Sequence, residues 1–178
     1  FVLASKYQQE PTSLGGNLIQ TDAFVRFALA DMLTAEWEEL ILTADTAMKT
    51  KEWNDFSCFQ LWGKLKGHAY LLDMMHGKWE SPALLLNAIT FSAKCRAAWP
   101  ECPLRMLIEE KASGIGLIQQ LNVANVPAEG IERDIDKVRR VKLILPYQES
   151  GLVHIPNEKR EDAPEWVDKF LTECGEFK

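Results

Sequence analysis

Histidine and cysteine are scarce: three His and four Cys in 178 residues. No Cys-x-x-Cys pair occurs, and His68, His76 and His154 share no metal-ligand spacing. Zinc fingers, thioredoxin-type redox sites and a disulfide scaffold are thereby excluded. Cys58, Cys95, Cys102 and Cys174 lie far apart and are expected to be buried free thiols in a reducing compartment. No apolar run approaches the ~18 residues that span a bilayer, so no membrane partner is expected. The opening Phe1 to Tyr7 is too short and too quickly polar for a signal peptide. No Gly-x4-Gly-Lys-Ser/Thr loop for nucleotide phosphates is present, and no Ser or Cys has the neighbouring His and acid of covalent catalysis. Positive charge is not in excess either. There are 20 Lys and Arg against 26 Asp and Glu, a net charge of −6. That argues against a general basic coat for nucleic acid, though not against a local basic groove.

What is present describes one ordinary core: 47% hydrophobic residues and six Trp. Residues 5–20, with Pro11 and Gly15-Gly16, read as an extended lead-in. Asp22 to Leu33 suggests a short helix. Glu39 to Asp45 is a nearly continuous apolar run, suited to a central strand buried on both faces. Asp55 to Trp62 and Ala69 to Met75, split by Gly63 to Gly67, predict a hairpin. Ser81-Pro82 opens a helix with Leu84, Ala88, Phe91 and Cys95 on one face. Leu104 to Glu109 is a second strand, and Ser113 is placed to cap the helix that follows. A weak strand lies near Val126. Next comes a helical stripe of Ile135, Val138, Val141 and Leu145, interrupted by Pro146. Leu152 to Ile155 predicts a strand, and Asp162 and Pro164 open a last amphipathic helix with Trp166, Val167, Phe170, Leu171 and Cys174 inward. Three successive strands followed by β/α alternation give an α/β fold with a mixed sheet, antiparallel on one side and parallel on the other. The six Trp read as core and rim residues rather than base-stacking platforms. Gly114-Ile115-Gly116 lacks the third glycine of a dinucleotide fingerprint, so close packing of its helix is the better account.

The carboxylates carry the chemical information. Asp45 ends the first strand and Glu109 ends the strand after the first long helix. If those strands are neighbours, both side chains project into one crevice at the strands' carboxyl ends. Two close carboxylates repel unless a cation separates them. Hard oxygen ligands suit Mg2+ or Mn2+, and two such ions support in-line phosphodiester cleavage. A carboxylate at a strand end is, however, often only solvated or capping a turn. The densest basic cluster is Lys137, Arg139, Arg140 and Lys142, with Lys111 directly after Glu109-Glu110. Such cations suit phosphate contacts to DNA, while Asp136 and Arg140, four apart, equally suit a pair on a solvated helix face.

Several segments resemble one family in order. Thr43-Ala44-Asp45-Thr46-Ala47 followed by Asn54-Asp55-Phe56-Ser57 resembles the start of the nuclease domain of tailed-phage large terminases. Ile108-Glu109-Glu110-Lys111-Ala112-Ser113-Gly114 resembles that family's Glu-Asp-Lys-Ala motif, and Leu117 to Leu121 follows as its helix does. Asp136-Lys137-Val138-Arg139-Arg140 resembles a later Asp-Lys-x-x-Arg motif. Pro164 to Phe177 resembles the helix before the family's last acidic motif, and Tyr7 to Gly16 resembles the segment joining the packaging ATPase to the nuclease.

The resemblance implies an RNase H-like fold and a metal-dependent endonuclease that cuts concatemeric duplex DNA at the start and end of genome packaging. It makes Asp45 and Glu109 the catalytic metal ligands, with two Mg2+ or Mn2+ ions as cofactor. Glu110 stands where the family usually has Asp, and is either a spare ligand or points the other way, since side chains alternate along a strand. Asp55 is either a group supporting the ligands or a turn residue. Residues 1–20 are expected to be the lead-in from an ATPase domain and residues 21–178 the nuclease domain. The family's His-Asp-Asp-x-x-Asp motif is expected to follow a Phe such as Phe177, beyond Lys178. Implied partners are double-stranded DNA, an ATPase domain in the same polypeptide, the portal and the small terminase subunit, in the cytoplasm of a bacterial host. The alternatives are a DNA- or portal-docking module without cleavage, and another RNase H-like nuclease such as a resolvase.

Overall fold

A computed structural model describes residues 18–47 and 56–177. Its centre is a mixed seven-stranded sheet. The strands are β1 (Val25–Phe27), β2 (Glu39–Asp45), β3 (Ser57–Leu65), β4 (His68–Gly77), β5 (Leu104–Glu109), β6 (Glu129–Ile131) and β7 (Val153–Pro156). They lie in the order β1-β7-β4-β3-β2-β5-β6. The helices are α1 (Ser81–Ala98), α2 (Ala112–Val123), α3 (Lys137–Glu149) and α4 (Trp166–Glu176). The α/β class and mixed sheet read from the sequence are what the fold shows. β2, β3 and β4 form the antiparallel meander, and β5 and β6 extend it in parallel beyond β2. Beyond β4 the sheet continues as well, with β7 and β1 parallel to it. Parallel pairing thus flanks the meander on both sides.

Strand alternation sorts the side chains into two cores. Leu40, Leu42, Ala44, Phe59, Leu61, Met106 and Ile108 face α1 and α2, packing on Leu84, Ala88, Phe91, Cys95, Leu117 and Leu121. A smaller cluster, Leu71, Phe24, Val153 and Ile155, is joined by Trp62, Trp166, Phe170, Leu171 and Cys174. The inward face expected of α4 is therefore the observed one, although α4 begins at Trp166 rather than at Asp162.

Several local expectations are corrected. Thr21–Ala23 and Leu29–Met32 are single 3-10 turns around β1, so Asp22 to Leu33 is not one helix. β2 buries one face only, in strict alternation, rather than both. The hairpin turn is the two-residue Lys66-Gly67, both at positive φ (51° and 79°), as a tight connection between twisted strands requires. Gly63 belongs to β3 instead, where a Cβ would strike the Trp37 ring. Ser81 opens α1 as expected but lies inside it, and Ser113 does not cap α2: Glu80 and Lys111 hold the N-cap positions without side-chain caps. Pro146 lies inside α3, which runs through it to Glu149. Val138 of the expected α3 stripe is 39% exposed, and only Leu145 of that stripe is buried. Trp37 is buried, and Trp62, Trp79, Trp99 and Trp166 are partly so; Trp53 lies outside the described residues.

Candidate metal centre

β2 and β5 are hydrogen-bonded neighbours in parallel, with Thr43 opposite Leu107 and Ala44 opposite Ile108. The next residues along are Asp45 and Glu109. Because Ala44 and Ile108 point into the main core, alternation turns both carboxylates to the opposite face, at the carboxyl ends of both strands. The structure brings the two together around one cation. The Lys111 Nζ lies 3.5 Å from Asp45 Oδ1 and 3.2 Å from Glu109 Oε2. On its other side Glu109 Oε1 accepts a hydrogen bond from Arg140 Nη1 at 3.2 Å. The Asp45 side chain is 57% exposed, that of Glu109 only 12%. Burial pushes the Glu109 carboxyl up, but hydrogen bonds and charge from Lys111 and Arg140 outweigh it and hold the group below the usual carboxylate value.

The backbone beneath is braced by polar contacts that the sequence motifs did not announce. The Thr46 and Ser113 hydroxyls lie 2.8 Å apart, and the Ser113 hydroxyl also donates to the Thr46 carbonyl at 3.1 Å. Ser57, fully buried, accepts from the Ala47 N–H at 3.0 Å. These bonds tie the end of β2 to the start of α2 and to β3. Ser113 is thus a cross-brace where the sequence suggested a cap. Gly114 permits the junction: a Cβ there would collide with the Glu109 carbonyl oxygen, whereas one on Gly116 would meet nothing within 4 Å. Close packing explains the first glycine of the Gly114-Ile115-Gly116 run and not the second.

The remaining candidates separate. Glu110 is exposed and lies against Gly130 of β6, where a Cβ would strike its carboxylate; it points away from Asp45 and Glu109. Asp55 lies outside the described residues. Asp136 and Arg140 do not pair as their spacing allowed. The Asp136 carboxylate caps α3 by accepting from the Arg139 N–H at 2.9 Å, which frees Arg140 to reach Glu109. Lys137 places its ammonium 5.7 Å from the Phe177 ring centre, and the Arg139 side chain is exposed. Two clefts meet at Asp45. One, of about 370 Å³, runs past Gln60, Glu109, Arg133, Lys137 and Arg140. The other, of about 530 Å³, runs past Phe56, His76, Glu173 and Phe177.

Among the described residues no three His, Cys, Asp or Glu side chains are gathered to hold a metal ion. The two gathered carboxylates are hard oxygen donors, and a cation already sits between them, which fits the chemistry of Mg2+ or Mn2+ as far as two ligands go. The four cysteines are free thiols as expected, but only Cys95 is fully buried, with Cys58, Cys102 and Cys174 partly exposed. Burial pushes Cys58, Cys95 and Cys174 up to about 12, so they are poor nucleophiles. No helix among the described residues is long and apolar enough to cross a membrane.

Comparison with known proteins bears on the family and the fold. A family model described as the terminase RNase H-like domain matches residues 42–178. The human cytomegalovirus terminase nuclease domain, solved Mn-soaked with an inhibitor, superposes with a TM-score of 0.67 at 11% identity, over 88% of this chain and 84% of that one. The large terminase nuclease of the thermophilic phage G20c, solved with bound magnesium, gives 0.60 at 10% identity over 92% and 81%. The large terminase of a second thermophilic bacteriophage gives 0.61 at 12% identity over 87% of this chain. The chain spans about a third (36%) of that last protein's length. No curated protein sequence matches significantly.

Proposed function

The chain belongs to the terminase RNase H-like domain family, and from that premise we propose that it is the metal-dependent DNA endonuclease of a viral packaging terminase. The observation that carries the reading is the pairing of Asp45 and Glu109 at adjacent parallel strand ends around a single positive charge. Asp45 and Glu109 would hold Mg2+ or Mn2+, as part of a two-ion site. A divalent cation there supplies Lewis-acid stabilisation of a phosphodiester and acidifies a water for attack. Glu109 stays ionised at neutral pH because Arg140 and Lys111 neutralise it. Arg140 fixes its orientation through one oxygen, leaving the other toward Asp45. Lys137 and Arg133 line the same cleft and are placed to take phosphate oxygens, holding a duplex by charge without reading its bases. Arg139 would add a peripheral contact.

On this reading residues 1–20 lead in from a packaging ATPase domain and residues 21–178 form the nuclease. The portal and small terminase subunit would be partners, and the bacterial cytoplasm the site of action. A docking role on DNA or the portal is the second reading. It is favoured by the apolar outer face of α3, where Leu143, Ile144 and Tyr147 are each more than half exposed. Supercoiled plasmid with Mn2+ or Mg2+ tests the choice. Wild type is expected to nick and linearise it, while Asp45→Asn and Glu109→Gln lose at least about a hundredfold in rate, the usual scale for a charge-stabilising group. Equal cutting by all three removes the proposed site, and binding without cutting favours docking.

A further inference from the structure

The two cations on the candidate site are not alike. Arg140 reaches Glu109 from α3 with its side chain 23% exposed, touching one carboxylate only. Lys111 is 46% exposed and is the group that touches both carboxylates. Its backbone is fixed, since its N–H donates to the Glu109 carbonyl at 2.8 Å and its own carbonyl accepts the first bond of α2 from Ile115 at 3.0 Å. Only the four-carbon stem is left to move, and half of it is already in solvent. The Lys111 contacts, at 3.2 and 3.5 Å, are loose for charge-assisted bonds, as is the 3.2 Å contact of Arg140, so exposure and reach rather than distance separate the two cations.

We propose that Lys111 is a resident counter-cation of the Asp45–Glu109 pair, one that a divalent ion must displace, so that it sets the metal affinity of the site by competition. The inference rests on the nuclease reading above. A divalent ion held by both carboxylates would have to enter the space across which the ammonium now bridges them. Like charges in that space repel, so the stem swings outward as the ion enters while Arg140 keeps Glu109 in place. Without metal, the same ammonium offsets the repulsion between the two acids. Lys111 is therefore a positioning residue, and its removal has a signature that simple loss of structure does not have: the site binds metal better.

The test is Mn2+ binding to the 178-residue chain at about pH 7.5 and low salt, where surface charge is least screened. Binding is followed by the electron paramagnetic resonance of free Mn2+, with melting temperature read alongside. Lys111→Met is expected to bind Mn2+ roughly three- to tenfold more tightly than wild type, the scale of one or two partly exposed ion pairs. Mn2+ should also raise its melting temperature further than it raises that of wild type. Lys111→Arg, which keeps the charge, should stay within about twofold of wild type. Arg140→Met removes the same charge from Glu109 without opening the space between the acids, and should gain less than Lys111→Met. Unchanged or weaker binding by Lys111→Met overturns the inference, as does an equal gain in Arg140→Met, which would mark a general field effect. If Mn2+ binds to none of the proteins, or binds Asp45→Asn as well as wild type, the metal site itself fails and the inference falls with it. Binding that depends on Asp45 but not on Lys111 rejects the inference alone.

Discussion

Each end of the sheet buries an ionisable side chain, His154 at one and Glu109 at the other, and the two treat charge in opposite ways. At the amino-terminal end of β2, β4 and β7, His154 is 9% exposed, lies over the Tyr70 ring at 4.2 Å and hydrogen-bonds His68 at 2.8 Å. Trp37 packs edge-on against Tyr70 and Trp99 in the same region. Burial, then the neighbouring His68, holds His154 below the ordinary histidine value, so this aromatic patch favours the neutral ring, while the charges beside it are paired as Glu38–Lys64 and Glu39–Arg105 on the exposed rim. At the carboxyl-terminal end Glu109 is nearly as buried, but two cations overrule the desolvation and keep it charged. In the aromatic patch the buried histidine gives up charge to gain packing. The other end retains charge at the place where parallel strands open a crevice, and needs polar bracing from Thr46, Ser57 and Ser113 to do so.

The sharpest way to break this contrast is to compare cost in stability with cost in activity at each end. Trp37→Ala is expected to cost about 3–5 kcal/mol, because a buried ring is lost above Gly63. For a chain of this size that is roughly a 10 °C fall in melting temperature. Asp45→Asn, on a mostly exposed side chain, should leave the melting temperature within about a degree or two while cleavage is lost. Equal thermal losses would mean that the charged end is as structural as the aromatic one.

A smaller effect probes the joint between scaffold and site. Gly114→Ala drives a methyl group into the Glu109 carbonyl, so the start of α2 must move off β5, at a cost of about 1–3 kcal/mol and with reduced cleavage. Gly116→Ala, two residues on and facing open space, is expected to be neutral or to stabilise by up to about 1 kcal/mol through helix propensity. Paired thermal melts and plasmid assays separate the two. A harmless Gly114→Ala would show that the close approach is not needed to hold Glu109.

The charged end was the more legible of the two in the sequence. Asp45 and Glu109 each close an apolar run, and strand period plus parallel pairing then puts both on one face without further information. What periodicity could not supply was partner choice. Asp136 and Arg140 sit at pairing distance on a helix, yet Asp136 occupies the N-cap, where its carboxylate takes a backbone amide, and Arg140 crosses to another element. An acidic residue immediately before a helix was the available signal. The region from Asp22 to Leu33 misled because its apolar residues mimic a helical stripe, while β1 is only three residues held by β7, far away in sequence. The aromatic end was hidden for the same reason: the His68–His154 contact joins residues 86 apart, and each histidine alone gave no pattern.

The smallest predicted effect lies in the pH dependence of stability, where the two ends act in separate windows. His154, with His68 and Tyr70 facing it, has a folded-state pKa below its ordinary 6.5. The unfolded chain therefore takes up that proton first. The stability conferred by a neutral His154 is full above about pH 6.5 and is lost as the pH falls through the folded-state value. Glu109, with Lys111, Arg140 and Asp45 around it, has a folded-state pKa below its ordinary 4.5. Its contribution is likewise full above that value and is lost only in stronger acid. Both slopes have the same sign, so the windows tell them apart. Melting temperature measured from about pH 8 to about pH 3 should decline in two stages. His154→Gln is expected to flatten the first stage and leave the second, and Glu109→Gln to leave the first and shrink the second, which Glu109 shares with the ion-paired Glu129, Glu158 and Asp162. A variant at one end that altered both stages would show that the two ends titrate as one network, and that the sheet between them does not insulate the aromatic end from the charged one.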